Sequence, residues 1–269
     1  MLNLSTMQLG KLPFRPKAKD MPLRAYLDRA KAEEDLNAAP AAINWYEMPT
    51  PTGALPEWDS DVLGNDRYGD CVLAAPAHLI MLESKLAGSP VTITTAQVLE
   101  AYQALTGFDP STGAGDNGAY IRDMMDMWRT YGLYGDKIDA YLWVNPLDKL
   151  EMNWALWRSG GLISGILLPK CWPQQVDASG NPDWTIPEGG WEQGDGPGAG
   201  GGHAVATHAT GGGNSWGMQT NWSDEHRHAC CDELVMPISR RWALRNGLTP
   251  CGLAYDQVLS DARARGAQA

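Results

Sequence analysis

From Cys71 onward, apolar residues recur at helical spacing: Ala75, Leu79, Leu82 and Leu86 share one face, and Gly88-Ser89-Pro90 stops the run. The pattern predicts a helix that opens at Cys71, distorted in its second turn where Pro76 removes a backbone bond. Thr94 to Thr106 predicts a second helix capped by Thr94 or Thr95. Tyr120 to Tyr131 predicts a third that closes at Gly132, and Leu147 to Arg158 a fourth ended by Gly160-Gly161. Leu162 to Leu168 is a short continuous apolar run and reads as a buried strand. His203 to Thr210 predicts a strand, Gly211-Gly212-Gly213 a turn, and Asn214 to Ser223 the return strand. A last helix is expected near Ala254 to Arg263.

Before Cys71 the pattern is weaker. Residues 1–60 read as an extended leader with one short charged helix, Met21 to Leu36, and the prolines between Met48 and Pro56 predict irregular chain. The expected organisation is a leader (1–60), a main domain (61–250), and a C-terminal helix and tail (251–269). The main domain would divide into a helical lobe at about 61–140 and a β lobe at about 141–250. Residues 173–202 form a Gly- and Pro-rich loop, and a loop of that length is commonly functional or an insertion. Its Trp184 and Trp191 are read as packing residues, and Asp123, Asp126 and Glu151 as solvated helix faces.

Composition narrows the function classes. The net charge is −11 with a pI near 4.8, so a phosphate backbone is repelled and nucleic acid is not an expected partner. The longest apolar run, Gly161 to Pro169, is far short of the roughly 20 residues that span a bilayer, and no membrane partner is expected. The first residues lack the apolar core of a secretory signal. Five cysteines (Cys71, Cys171, Cys230, Cys231, Cys251) form no regular framework, which points to free thiols in a reducing, cytoplasmic setting. The glycines at 198–202 lack the Lys-Ser or Lys-Thr of a phosphate-binding loop. His226, His228, Cys230 and Cys231 lack a second ligand pair at zinc spacing, so neither metal nor cofactor is expected.

One constellation carries chemistry. A thiol becomes a nucleophile when a helix N-terminus and an imidazole stabilise its thiolate. Cys71 opens a predicted helix, and His203 opens a predicted strand. Each alone is also compatible with plain packing, since free cysteine is among the most buried residues. Mirrored about Gly212, the position opposite His203 is Asn221, which makes Asn221 the candidate orienter, with Asp224 in reserve. Asn214, in Asn-Ser-Trp-Gly at 214–217, mirrors onto Thr210 and is read as a turn residue.

These residues resemble the papain-like cysteine peptidase superfamily. Gly64-Asn65-Asp66-Arg67-Tyr68-Gly69-Asp70-Cys71 resembles the family's stretch around its nucleophile, with Asn65 where the family places its oxyanion-hole Gln. Gly201-Gly202-His203-Ala204-Val205 resembles the family's Gly-His-Ala-Val strand. Asp116-Asn117-Gly118 resembles its substrate-backbone segment. Cys-Asp-Glu at 231–233 completes a pattern similar to papain-like proteins of bacteria and phages. Asn for Gln at 65 and Val72 for the family's Trp are departures. The resemblance implies an α+β, two-lobe papain-like fold with an antiparallel β lobe. It implies Cys71, His203, Asn221 and Asn65 as catalytic residues, and Asn117, Gly118 and Gly202 as substrate-binding residues. The expected function is a cysteine peptidase. A peptidoglycan amidase or endopeptidase and a non-enzymatic virion protein on the same scaffold, contacting other virion proteins, are the alternatives.

Overall fold

The helix that begins at Cys71, here α2 (Cys71–Leu86), is the axis of the molecule: every residue in it except Lys85 is buried. So apolar a helix must be covered on all sides. On one side lie α3 (Thr95–Thr106) and α4 (Ile121–Thr130), and on the other the β-sheet. This is a computed structural model, which describes residues 3–239 and 255–266. α3 starts with a capping box, in which the Thr94 hydroxyl and the Gln97 side chain satisfy each other's backbone N–H. It ends at Gly107 in the left-handed conformation.

The sheet has seven strands: β1 (Ile138–Trp143), β2 (Leu162–Leu168), β3 (Asp183–Trp184), β4 (Gly201–Ala209), β5 (Gly212–Ser215), β6 (Met218–Trp222) and β7 (Cys231–Ser239). Their order is β1-β7-β2-β4-β5-β6-β3, antiparallel except for the β3–β6 pair. Alternation along the strands sorts two cores. Ile163, Ala204, Ala206 and Val235 face α2, while Leu162, Ile166, Val205 and Leu234 face the opposite cluster. That second cluster includes α5 (Lys149–Ser159), and α1 (Arg29–Leu36) also lies against α5.

The structure departs from the sequence pattern in several places. The charged helix expected from Met21 is confined to Arg29–Leu36. Met21, Leu23 and Leu27 are instead buried in the core around a single 3-10 turn. Strand β7 lies second from the sheet edge although its Asp232, Glu233 and Pro237 break the apolar run; it follows α6 (Asp224–Cys230), and neither element is expected from the pattern after Ser223. Glu151 is buried, not solvated, because its carboxylate accepts the Asn145 N–H at 2.8 Å. The long loop carries the two-residue strand β3, where Trp184 is wholly buried and stacked on Trp222. The last helix, α7, spans Tyr255–Gly266; residues 240–254, with Cys251 and the expected end of the β lobe, lie outside the described residues.

Leu79 couples the helix to the sheet. Its Cδ1 stands where a Cβ on Gly161 would be, and only 1% of the residue is exposed. Leu79→Ala is expected to cost about 2–5 kcal/mol through the cavity it leaves. A lowered urea midpoint at unchanged m-value is the corresponding measurement.

Candidate active site

The walls of the site are tied together before any catalytic group is placed. Asp116 accepts the Gly69 N–H at 3.0 Å and the Tyr102 hydroxyl at 2.7 Å, and that hydroxyl in turn accepts the Gly118 N–H at 2.9 Å. The loop ahead of Cys71 and the loop around Gly118 are therefore held at fixed separation by one carboxylate and one phenol. Gly118 has φ 74°, a left-handed conformation that glycine adopts without strain.

Cys71 is 1% exposed at the first turn of α2. Burial pushes its thiol up to about 11, against the opposing pull of backbone groups at Ala204 and Gly10. Ala204 follows His203, so the two predicted residues come from adjoining backbone. His203 is fully buried, and burial alone lowers its imidazole to about 3. Its Nδ1 has no hydrogen-bond partner. Both groups are thus held neutral, with no hydrogen bond joining them.

The group that meets His203 is Ser215, whose Oγ lies 2.5 Å from Nε2. Trp216 stacks on the same ring with centroids 4.1 Å apart and planes at 15°. Asn221 is not beside His203. It lies on β6, opposite Gly212 and Asp183, and its Oδ1 accepts from Gln219 at 3.3 Å. The mirror about Gly212 assumed one hairpin, whereas the chain makes two. A first turn at Thr210–Gly211 leads into β5, and the register slips between Thr207 and Ala209. A second turn at Trp216–Gly217, with φ 54° and 70°, starts β6. Two successive positive φ values are the signature of a tight hairpin turn, and Trp is not a residue that advertises one. Asn214 pairs with Ala206 and gives its side-chain N–H to the Asp59 carbonyl at 2.8 Å. Asp224, the reserve, is paired with Lys149 at 2.9 Å.

The leader runs through this cleft as an extended peptide. The Gln8 N–H donates to Asn65 O at 3.2 Å, and Asn65 Nδ2 returns a bond to Gln8 O at 3.4 Å while donating to Tyr68 O at 2.9 Å. Ala119 N–H donates to Gly10 O at 2.8 Å, and Leu12 N–H to Ala119 O at 2.9 Å. Lys11 N–H donates to Gly202 O at 3.0 Å. The approach is so close that a Cβ on Gly10 would run into the Gly69 carbonyl, one on Gly118 into Gly10 O, and one on Gly202 into Lys11 O. Of the residues expected to hold peptide backbone, Gly202 supplies a carbonyl and Gly118 supplies clearance. Asn117 makes no hydrogen bond to the leader among the described residues; Ala119, two residues on, provides both.

Lys11 anchors the strand. Its side chain is completely buried, with Nζ 2.8 Å from Asp232 Oδ2 and 3.0 Å from Glu233 Oε1. Burial raises Glu233 to about 7, opposed chiefly by Lys11. Asp70, buried beside Cys71, is raised by burial to about 8. The leader's role carried no motif in the sequence. The signal that was available is the coincidence of glycines at 10, 69, 118 and 202, which only matters once they are known to meet.

In the leader-docked state the His203 ring nitrogens should show no titration in 15N NMR from about pH 5 to about pH 8, because the neutral imidazole is the buried form. A midpoint near 6.5 would show a solvated ring. With the folded value below the unfolded one, His203 stabilises the native state least in acid, and that contribution fades as pH falls below about 6.5.

No family model and no curated protein matches the sequence. Among solved structures the chain is similar to xylellain, a cysteine protease from Xylella fastidiosa. The TM-score is 0.59 at 16% identity, over 87% of this chain and 96% of that one. The proform of the ragweed pollen cysteine protease Amb a 11 aligns at TM-score 0.47 and 16% identity, over 74% of this chain and 59% of that one. Recombinant stem bromelain precursor aligns at TM-score 0.48 and 12% identity, over 89% of this chain and 80% of that one. No helix among the described residues is long and apolar enough to cross a membrane. The chain has a mixed α+β, papain-like fold, shared over most of its length with xylellain.

Proposed function

We propose that the protein is a latent cysteine peptidase whose own leader occupies the peptide cleft. The observation that carries this reading is the leader's main-chain pairing across Cys71. Residues 8–12 exchange backbone bonds with Asn65, Gly202 and Ala119, which is how a sheet edge reads an extended peptide. A surface that holds an extended chain through its main-chain groups in this way is suited to peptide substrates.

With the leader withdrawn, water reaches Cys71 and His203, and the desolvation that keeps them neutral is relieved. The Cys71 proton then passes to His203 Nδ1, and the thiolate gains from the α2 N-terminus. Attack of Sγ on a peptide carbonyl forms the C–S bond and an oxyanion. The Cys71 N–H and the Asn65 Nδ2 hydrogen released from Gln8 stabilise it, a contribution of about 3 kcal/mol per donor. His203 returns its proton to the leaving amine as the C–N bond breaks, and water hydrolyses the thioester. Ser215 holds Nε2 so that Nδ1 is the nitrogen that works.

A non-enzymatic role on the same scaffold is the second reading. It is favoured by the thiol pushed up to about 11 and by a serine where an amide orienter was expected.

Full-length protein with Gly10→Val or Lys11→Glu separates the two. The first sets a side chain against the Gly69 carbonyl, the second a third carboxyl beside Asp232 and Glu233. Each is expected to hydrolyse a mixed fluorogenic peptide library at least ~10-fold faster than wild type, and Cys71→Ala in either background to abolish this. No turnover in either variant, with Cys71 alkylated no faster than Cys171, supports the structural role.

A further inference from the structure

A cavity of about 310 Å³ that shares no residue with the Cys71 site lies where the leader, α4, β1 and α7 meet. Its lining carries four cations, Lys17, Lys19, Arg122 and Arg129, against two carboxylates, Asp20 and Asp126. That is a local excess of positive charge in a chain whose net charge is −11. Both carboxylates are already engaged. Asp20 meets the Arg122 guanidinium with both oxygens, at 2.5 and 2.8 Å. Asp126 accepts the Tyr141 hydroxyl at 2.8 Å and lies 3.6 Å from Arg129. Apolar surface completes the lining: Met21 and Trp143 are buried, and Tyr141 stands edge-on to Trp143 with centroids 6.2 Å apart.

We propose that this cavity binds a small organic anion, with two or more negative charges on a compact apolar body, and that the bound anion holds the leader in place. Three observations carry it. The volume falls at the lower end of the range usual for small-molecule pockets, roughly 300–1,000 Å³. The leader wall is fixed in advance by Arg122, whose Nη2 donates to Arg15 O at 3.1 Å as well as to Asp20, and whose guanidinium carbon sits 4.8 Å above the Trp143 ring. A ligand therefore meets a preorganised wall and does not bear the cost of ordering it. Finally, donors are left to receive it. Arg129 is held only at long range, with Nη1 3.5 Å from Ala262 O and Nη2 3.6 Å from Asp126, so its fork is available to an oxyanion. Lys17, an exposed leader residue in no ion pair among the described residues, adds a second point charge. Lys17 and Met21 belong to the leader, whereas Arg129 and Tyr141 belong to the body, so a ligand in the cavity touches both. It binds the docked leader better than the withdrawn one and shifts the equilibrium toward docking. The coupling depends only on the leader's position over Cys71 and requires no peptidase activity.

The test uses full-length protein and isothermal titration calorimetry at two temperatures, with phenyl phosphate and benzene-1,3-dicarboxylate as probes. Inorganic phosphate and benzyl alcohol separate the charge from the apolar body. Both organic dianions are expected to bind, and inorganic phosphate and benzyl alcohol to bind at least ~10-fold more weakly. Lys17→Ala and Arg129→Gln should each weaken phenyl phosphate binding at least ~5-fold. Lys31→Ala, which removes the same charge from α1 outside the cavity, should leave it unchanged. Failure of both dianions to bind at about 5 mM, or equal losses in all three variants, overturns the site. Inorganic phosphate binding as tightly as phenyl phosphate overturns the ligand class. Near-saturating phenyl phosphate should also slow iodoacetamide alkylation of Cys71 at least ~5-fold in wild type, and less in Arg129→Gln at the same concentration. An unchanged rate in wild type overturns the link to the leader. None of these readouts involves turnover, so loss of the peptidase reading and loss of this one are told apart.

Discussion

The buried ammonium of Lys11 is the constraint on which the arrangement of the site depends. A charge taken wholly out of water costs several kcal/mol unless its partners are close and well placed, and here two carboxylates meet it at 2.8 and 3.0 Å. Those partners sit on one strand of the sheet, so the leader can dock in only one register. That register puts Gly10 against Cys71 and the Gln8 carbonyl on the Asn65 amide. With the strand docked, the candidate pair Cys71 and His203 is buried: the thiol rises, the imidazole falls, and both are kept neutral.

The strand reaches that position because side chains are missing where it passes. Gly69, Gly118, Gly165 and Gly202 each stand where a Cβ would meet the leader or crowd its path, and Gly10 itself has no room for one. The Asp116–Tyr102 link then keeps the two loops on either side from drifting apart. The cleft is thus a slot of backbone width, which holds the leader by its main chain and by the buried Lys11 side chain. Under the proposed reading, the slot that covers Cys71 is also the one a substrate would enter.

Much of the framework was legible in the sequence because periodicity reports burial. The helix at Cys71, the strand Leu162–Leu168 and the pair Cys71 and His203 at element starts could all be read from pattern and spacing. What failed was geometry that pattern does not encode. Trp216 in a left-handed turn split one expected strand into two and moved Asn221 away from His203, leaving Ser215 as its partner. Strand β7 was hidden because Asp232 and Glu233 look like solvent residues, and their burial makes sense only once Lys11 lies between them. The leader reads as extended and inert for the same reason: the charged partners of its Lys11, Asp232 and Glu233, lie more than 200 positions away in the sequence.

The most direct test of leader-imposed neutrality is the pH profile of Cys71 alkylation in wild type and in Lys11→Glu. The account predicts that the wild-type rate is still climbing at about pH 10, following a thiol raised by burial. In the variant it should level off below the ~8.5 of an ordinary thiol, as an ion pair with His203 forms. Profiles that superimpose would contradict it, because the state of Cys71 would then owe nothing to the leader.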